Sequence, residues 1–190
     1  MKFLDALLGR SRPAQPKLDA LFGVTGAAIG LEAAAGMKPT GQAAVCFKPA
    51  SGQGFAAAAE ELEGLLELAV KEAGSTLKVT DDRFGYRWVV LADPEMEDLV
   101  TSVHLVNSTL EQHGFGPQLL CSVFAFTSAE NQRFHLVYLY KRGTFYPFAP
   151  LDGERRDNEL ELRVKATLAG DLPVEPELAR WFALWGLPLG

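Results

Sequence analysis

The chain has 190 residues, of which 48% are hydrophobic, 10% aromatic and 22% charged, with a mean hydropathy of +0.05. That length predicts one domain, and this composition excludes a disordered chain, since folded chains of such size bury about 70% of their unfolded surface. Eighteen basic against 24 acidic residues give a formal charge of −6 and a pI near 5.1, which argues against a phosphate-tracking surface and so against nucleic acid as a partner.

Residues 1–23 form the first predicted unit, an amphipathic segment ahead of a single domain over 24–190. Two near-repeats, LDALLG and LDALFG, are joined through Pro13 and Pro16 and predict two short helical turns. Phe3, Leu4, Leu7 and Leu8 fall on one helical face. So short a helix is marginal alone, and its face must rest on a membrane surface, a partner groove or the chain's own domain. This segment carries Lys2, Arg10, Arg12 and Lys17 against Asp5 and Asp19, leaving 14 basic against 22 acidic residues elsewhere. Asp5, Gly9 and Arg10 interrupt it before a signal-peptide core could form, so a cytoplasmic location is expected.

Residues 24–36 are Ala-rich but broken by Gly26, Gly30 and Gly36, and favour neither helix nor strand. A strand is predicted at 43–47 and a helix at 56–73 stopped by Gly74. The apolar side of that helix is Leu62, Leu65, Leu66, Leu68 and Ala69, with glutamates on its wet side. Residues 77–80 and 86–91 read as a hairpin. Asp93 is the expected cap of the next helix, with Pro94 at its first position and Met96, Leu99, Val103, Val106 and Leu110 on its buried side. Residues 119–127 and 133–141 read as a second hairpin. A helix is expected from about 158 to 169, and a last one carrying Leu178, Trp181, Phe182 and Trp185 at helical spacing. Two strands followed by a helix, repeated, predict an α+β fold: a mainly antiparallel sheet with helices packed on it.

The constellations that could carry chemistry are sparse. Cys46 and Cys121 lie 75 residues apart with no CxxC and no metal-ligand spacing, so both are expected as free thiols packed like small hydrophobes, with no metal or cofactor. The longest stretch without charge or histidine is residues 114–129, 16 residues interrupted by Gly116 and Pro117, and no spanning helix is expected. Gly52-Gln53-Gly54-Phe55-Ala56-Ala57 imitates a dinucleotide fingerprint, but Lys48-Pro49-Ala50-Ser51 separates it from the strand and hairpins follow it. His104, His113 and His135 are scattered, although His104 and His135 could meet in space; no hydrolase or phosphate-loop motif occurs. His113 suits a helix C-terminus. Lys141, Arg142, Phe145 and Tyr146 put a basic pair beside aromatics at a strand exit. With Trp181 and Trp185 they are the candidate partner contact, the alternative being rings that plug the core.

The strings KFLDALLGR, LDALF, PTGQAAVCFKP, FGYRWVVL, EDLVTSVHLVNSTLEQHGFGPQLL, YKRGTFYPFAP and LPVEPELARWFALWGLPL resemble the PspA-associated family PspAB over nearly the whole chain. The resemblance implies an accessory role in a phage-shock or envelope-stress system, at the cytoplasmic membrane face. It places the chain alongside a PspA-like membrane-remodelling protein or an HtpX-like membrane protease. It carries over no catalytic residue. The expected function is a non-enzymatic adaptor or regulator acting by protein contact and by peripheral contact with an anionic membrane. The alternatives are a small-ligand or nucleotide-binding domain using the Gly52–Gly54 loop, and a peptide-holding module of the secretion-chaperone kind.

Overall fold

The computed structural model describes residues 18–49, 52–73 and 75–189. The Phe3, Leu4, Leu7 and Leu8 face therefore lies outside the described residues. Six strands, β1 (Lys38–Phe47), β2 (Thr76–Asp81), β3 (Arg87–Ala92), β4 (Leu119–Thr127), β5 (Arg133–Leu139) and β6 (Thr144–Phe148), form one sheet in the order β2-β3-β1-β4-β5-β6. All its pairings are antiparallel. The fold is α+β, as its alternating strand pairs and helices predict. Pro147 lies in β6, where a proline is tolerated because β6 is an edge.

Alternation along each strand sends its side chains to two different cores. One face carries Val45, Val89, Phe124, Leu136 and Phe145 and is covered by the helices. These are a 3-10 turn (Leu18–Phe22), α1 (Gly23–Ala35), α2 (Gln53–Ala73), α3 (Met96–Gln112) and α4 (Asn158–Leu168). The opposite face carries Ala44, Cys46, Trp88, Cys121, Val123, Val137, Tyr146 and Phe148. No helix covers it among the described residues; instead the irregular stretch 181–189 lies there, with Trp181, Leu184, Trp185 and Leu187 on the sheet. A minor ribbon, β7 (Pro150–Leu151) with β8 (Arg155–Arg156), leads into α4. Asp157 caps α4 by accepting from the Leu160 amide at 2.9 Å.

One undecided stretch is settled and two expectations are corrected. Residues 23–35 are helical despite their glycines, because Val24, Ala27, Ala28 and Leu31 bury one side and Gly36 closes the helix in the left-handed conformation. Together with the preceding turn this makes Leu18–Ala35 long and apolar enough, by length and composition, to cross a membrane. The charge-free count missed it because an average tolerates Asp19 and Glu32. Here its apolar side packs in the helix-covered core with Leu18 and Leu21.

Asp93 does not cap α3. The helix starts at Met96, and the buried Asp93 carboxylate accepts instead from the Ser75 hydroxyl and, at 2.8 Å, from the Glu95 amide. It thereby ties β2's start to the turn before α3. That turn also touches β1: the Asp93 amide donates to the Gly41 carbonyl at 2.9 Å. Gly41 has φ +74, and a Cβ there would come within 2.7 Å of the Asp93 carbonyl oxygen. β1 changes register in this region, between Pro39 and Ala43, and only glycine meets both demands.

The expected last helix is only a 3-10 turn, Leu178–Arg180. Trp181 is buried and Phe182 exposed, a pattern that an irregular strap produces as readily as a helix. Pro176, Gly186 and Pro188 within 13 residues leave no room for a full helical run.

Candidate functional site

Because neighbouring strands run antiparallel, the end of β1 and of β5 and the start of β3, β4 and β6 lie at one end of the sheet. There the helix-free face and the 181–189 strap enclose an open trough of about 540 Å³, within the usual range for small-molecule sites. Its floor is Trp88, Cys46, Leu120, Cys121, Leu139 and Tyr146, and its roof runs from Phe182 to Leu187. One mouth is at the β2–β3 hairpin, with Asp82 and Phe84, and the other is at the β5–β6 turn, with Lys141 and Arg142.

The strap is anchored by one carboxylate. Glu175 is fully buried and accepts from Arg142 Nε at 2.6 Å, from the Thr144 hydroxyl at 2.9 Å and from the Glu177 amide at 3.3 Å, with Arg180 Nη1 at 3.5 Å. Desolvation works to raise its pKa, but the bonds from Arg142 and Thr144 outweigh it and hold the carboxyl below the usual range. Its backbone continues the sheet edge, since its amide donates to the Phe145 carbonyl at 2.7 Å and the Phe145 amide donates to Pro173 at 2.8 Å. The Trp181 indole donates to the Glu175 carbonyl at 3.0 Å, and the Tyr146 hydroxyl donates to the Phe182 carbonyl at 2.9 Å. Arg156 adds a bond to the Trp181 carbonyl while its Nε donates to buried Glu161 at 2.9 Å.

At the other mouth Asp82 accepts from the Trp88 indole at 3.0 Å and from the amides of Phe84 and Tyr86 at 2.8 and 3.0 Å. Desolvation is again overcome by these bonds, and the carboxyl is held low. On the floor, Cys46 and Cys121 are direct cross-strand partners and free thiols. Their mutual hydrogen bond and then burial push the Cys46 thiol up, and burial pushes Tyr146 up. Both groups stay neutral at pH 7.

Of the residues singled out from sequence, Lys141, Arg142, Tyr146 and Trp185 meet at this trough. Trp181 is buried beside it, its ring 6.2 Å from that of Tyr146. Phe145 points to the opposite face and belongs to the helix-covered core. The histidines do not converge. His104 sits on α3 against Phe22, 4.9 Å between rings, whereas His135 is buried on the other face beside Phe148. His113 pairs with Glu61 at 2.5 Å and bonds the Thr109 carbonyl at 2.9 Å, as a helix C-terminus favours. No cluster of three metal-type ligands occurs among the described residues.

Gly52 precedes α2 and Gly54 lies in its first turn. β1 and β2 are separated in the sheet by β3, so the run does not join neighbouring parallel strands as a dinucleotide unit requires. Glu175, Asp82, Phe84 and Phe182 were not singled out as site residues from the sequence. A lone glutamate between prolines carries no motif, although exposed phenylalanines flanking glycine or tryptophan were a usable signal.

The chain matches the family PspAB, PspA associated protein B, over residues 1–189, and it belongs to that family. No curated protein matches it.

Proposed function

We propose, from its membership in the PspA associated protein B family, that this chain is a non-enzymatic adaptor of a PspA-linked envelope-stress system. It meets a PspA-type partner on the cytoplasmic side of the membrane through the mouths of the trough. The observation that carries this reading is a pair of exposed rings on the trough: Phe84 is 62% exposed at the β2–β3 mouth and Phe182 57% exposed on the roof, with Lys141 and Arg142 at the opposite mouth. Aromatic and arginine side chains beside a preformed recess are the usual anchors of protein contacts.

The test is capture of purified PspA from the same cells by the immobilised chain, with a Phe84→Asp/Phe182→Asp variant beside it. Both rings are exposed, so the fold should tolerate the change. Removing two anchors predicts at least a tenfold loss of affinity. Equal capture by both forms refutes the contact surface, and recovery of an HtpX-like protease in place of PspA would redirect the partner.

A second reading, peripheral contact with an anionic membrane, is favoured by exposed basic side chains at both mouths, Arg83 against Phe84 at one and Lys141 with Arg142 at the other. Co-sedimentation with anionic but not zwitterionic vesicles tests it. Deletion of residues 1–23 reports whether the amphipathic segment supplies the second anchor.

A further inference from the structure

We propose that the trough is a binding site for a single-chain anionic amphiphile of the long-chain fatty-acid type, its tail lying across the floor strands and its carboxylate at Lys141. This goes beyond the partner reading, which concerns only the mouths, and it can be tested with no partner present.

Shape is the first argument. From Trp88 on β3 to Tyr146 on β6 the floor crosses four strand spacings, roughly 19 Å, under a single strap. The result is an elongated recess of about 540 Å³. An apolar space of this kind holds water poorly, because water needs two to four polar partners.

The polar inventory is the second argument, and it separates an alkyl tail from a peptide. The interior polar groups are already committed: the Trp88 indole to Asp82, the Tyr146 hydroxyl to the Phe182 carbonyl, and the two thiols to each other. The floor is a sheet face, so its backbone groups are engaged in the ladders. An inserted peptide backbone would find no partners on the floor for its amides and carbonyls, a costly burial on that side. A hydrocarbon tail asks for none.

Charge orients the ligand. The Asp82 mouth carries a carboxylate held in its ionised form, which repels an anionic head, and its Arg83 is paired with Glu154 at 3.7 Å. At the opposite mouth Arg142 is neutralised by Glu175, while Lys141 is exposed and makes no ion pair among the described residues. Lys141 is thus the cation available to the head group.

The experiment is calorimetric titration of the purified chain with octanoate, dodecanoate and hexadecanoate below micelle formation. Expected is one saturable site whose affinity rises about fourfold per methylene until the trough is full. Dodecanoate should bind about tenfold tighter than dodecanol, and Lys141→Glu should erase that difference. Leu120→Trp and Leu139→Phe, from half-buried floor positions on two strands, fill the space. Either one that keeps the wild-type thermal transition should lose most of the binding. Bromododecanoate should quench the fluorescence of the trough-lining Trp88 and Trp185. The proposal is overturned by the absence of a saturable site, by an unquenched signal, by binding that survives both filling variants, or by dodecyltrimethylammonium binding as tightly as dodecanoate. None of these outcomes touches PspA capture, so the two readings fail separately.

Discussion

Replacing Glu175 by glutamine isolates the anchor of the strap. The change keeps the shape but removes the charge that Arg142 Nε meets at 2.6 Å, the Thr144 hydroxyl at 2.9 Å and Arg180 at 3.5 Å. A hydrogen bond to a buried charge contributes about 1.5–3 kcal/mol. The arginine side chains are 41% and 39% exposed and rehydrate when released, so each pairing counts nearer the ~0.5 kcal/mol of a surface pair. With the Thr144 bond weakened but not lost, the net cost is about 2 kcal/mol. At about 2–4 °C per kcal/mol for a chain of this size, the melting temperature should fall by roughly 4–8 °C. Acid supplies the decisive control. The folded carboxyl titrates below its ordinary value of 4.5, so its contribution is complete above 4.5 and disappears as pH falls through the lower folded pKa. The gap between wild type and Glu175→Gln should therefore be full at pH 7 and close well below pH 4. Differential scanning fluorimetry across that range measures it, with Trp181 emission reporting the strap because its indole bonds the Glu175 carbonyl. A gap of equal size at both ends would refute the ionic anchor and leave only packing.

His135 should add a separate acid sensitivity. Burial, then Arg133, pushes its pKa down from 6.5 to about 4, so the unfolded chain takes up a proton between those values and the folded chain does not. Stability should drop by about 3 kcal/mol as pH falls from 6.5 to 4, and urea titrations of His135→Phe should show that slope flattened. Tyr140→Phe removes a hydroxyl bonded to both Asn107 and Ser122 in the buried space under α3; urea unfolding should show a loss of about 1–3 kcal/mol at unchanged slope. Gly41→Ala should cost a similar ~1–3 kcal/mol, since the methyl group meets the Asp93 carbonyl at a φ alanine disfavours. A melting temperature within 1 °C of wild type would contradict that.

The hairpins, α3 and α4 were legible because their periodicities match the faces they bury, and Phe124, Leu136 and Val103 fall where alternation and helical spacing place them; α2 was legible as a helix but not in its burial, since of its expected apolar side Leu62 is buried whereas Leu65 and Leu68 are exposed. What failed did so for tertiary reasons. α1 was obscured by glycines whose low propensity its buried side overrides. β6 was hidden by Pro147, which only an edge strand accepts. The strap imitated a helix because one buried and one half-buried tryptophan suit either geometry. The trough itself is assembled from five strands and a distant tail, so no local window contains it. Lys141, Arg142, Tyr146 and Trp185 were found through their residue types alone, whereas the two shortest side-chain bonds of Glu175 come from partners 31 and 33 positions away.

The central position of β1 bears on how the chain is made. The first strand synthesised is the middle of the sheet, with β3 on one flank and β4 on the other. β4 begins about seventy residues after β1 ends, which at ribosomal speed is a delay of roughly 4–14 s. Until then Ala43, Ala44, Val45, Cys46 and Phe47 present an unpaired, strongly apolar edge. The hairpin of β2 and β3 emerges first and can close one side of it, but the other stays open for the rest of that interval. A nascent chain stalled before β4 is therefore the state in which this protein is most exposed to aggregation and most dependent on chaperones.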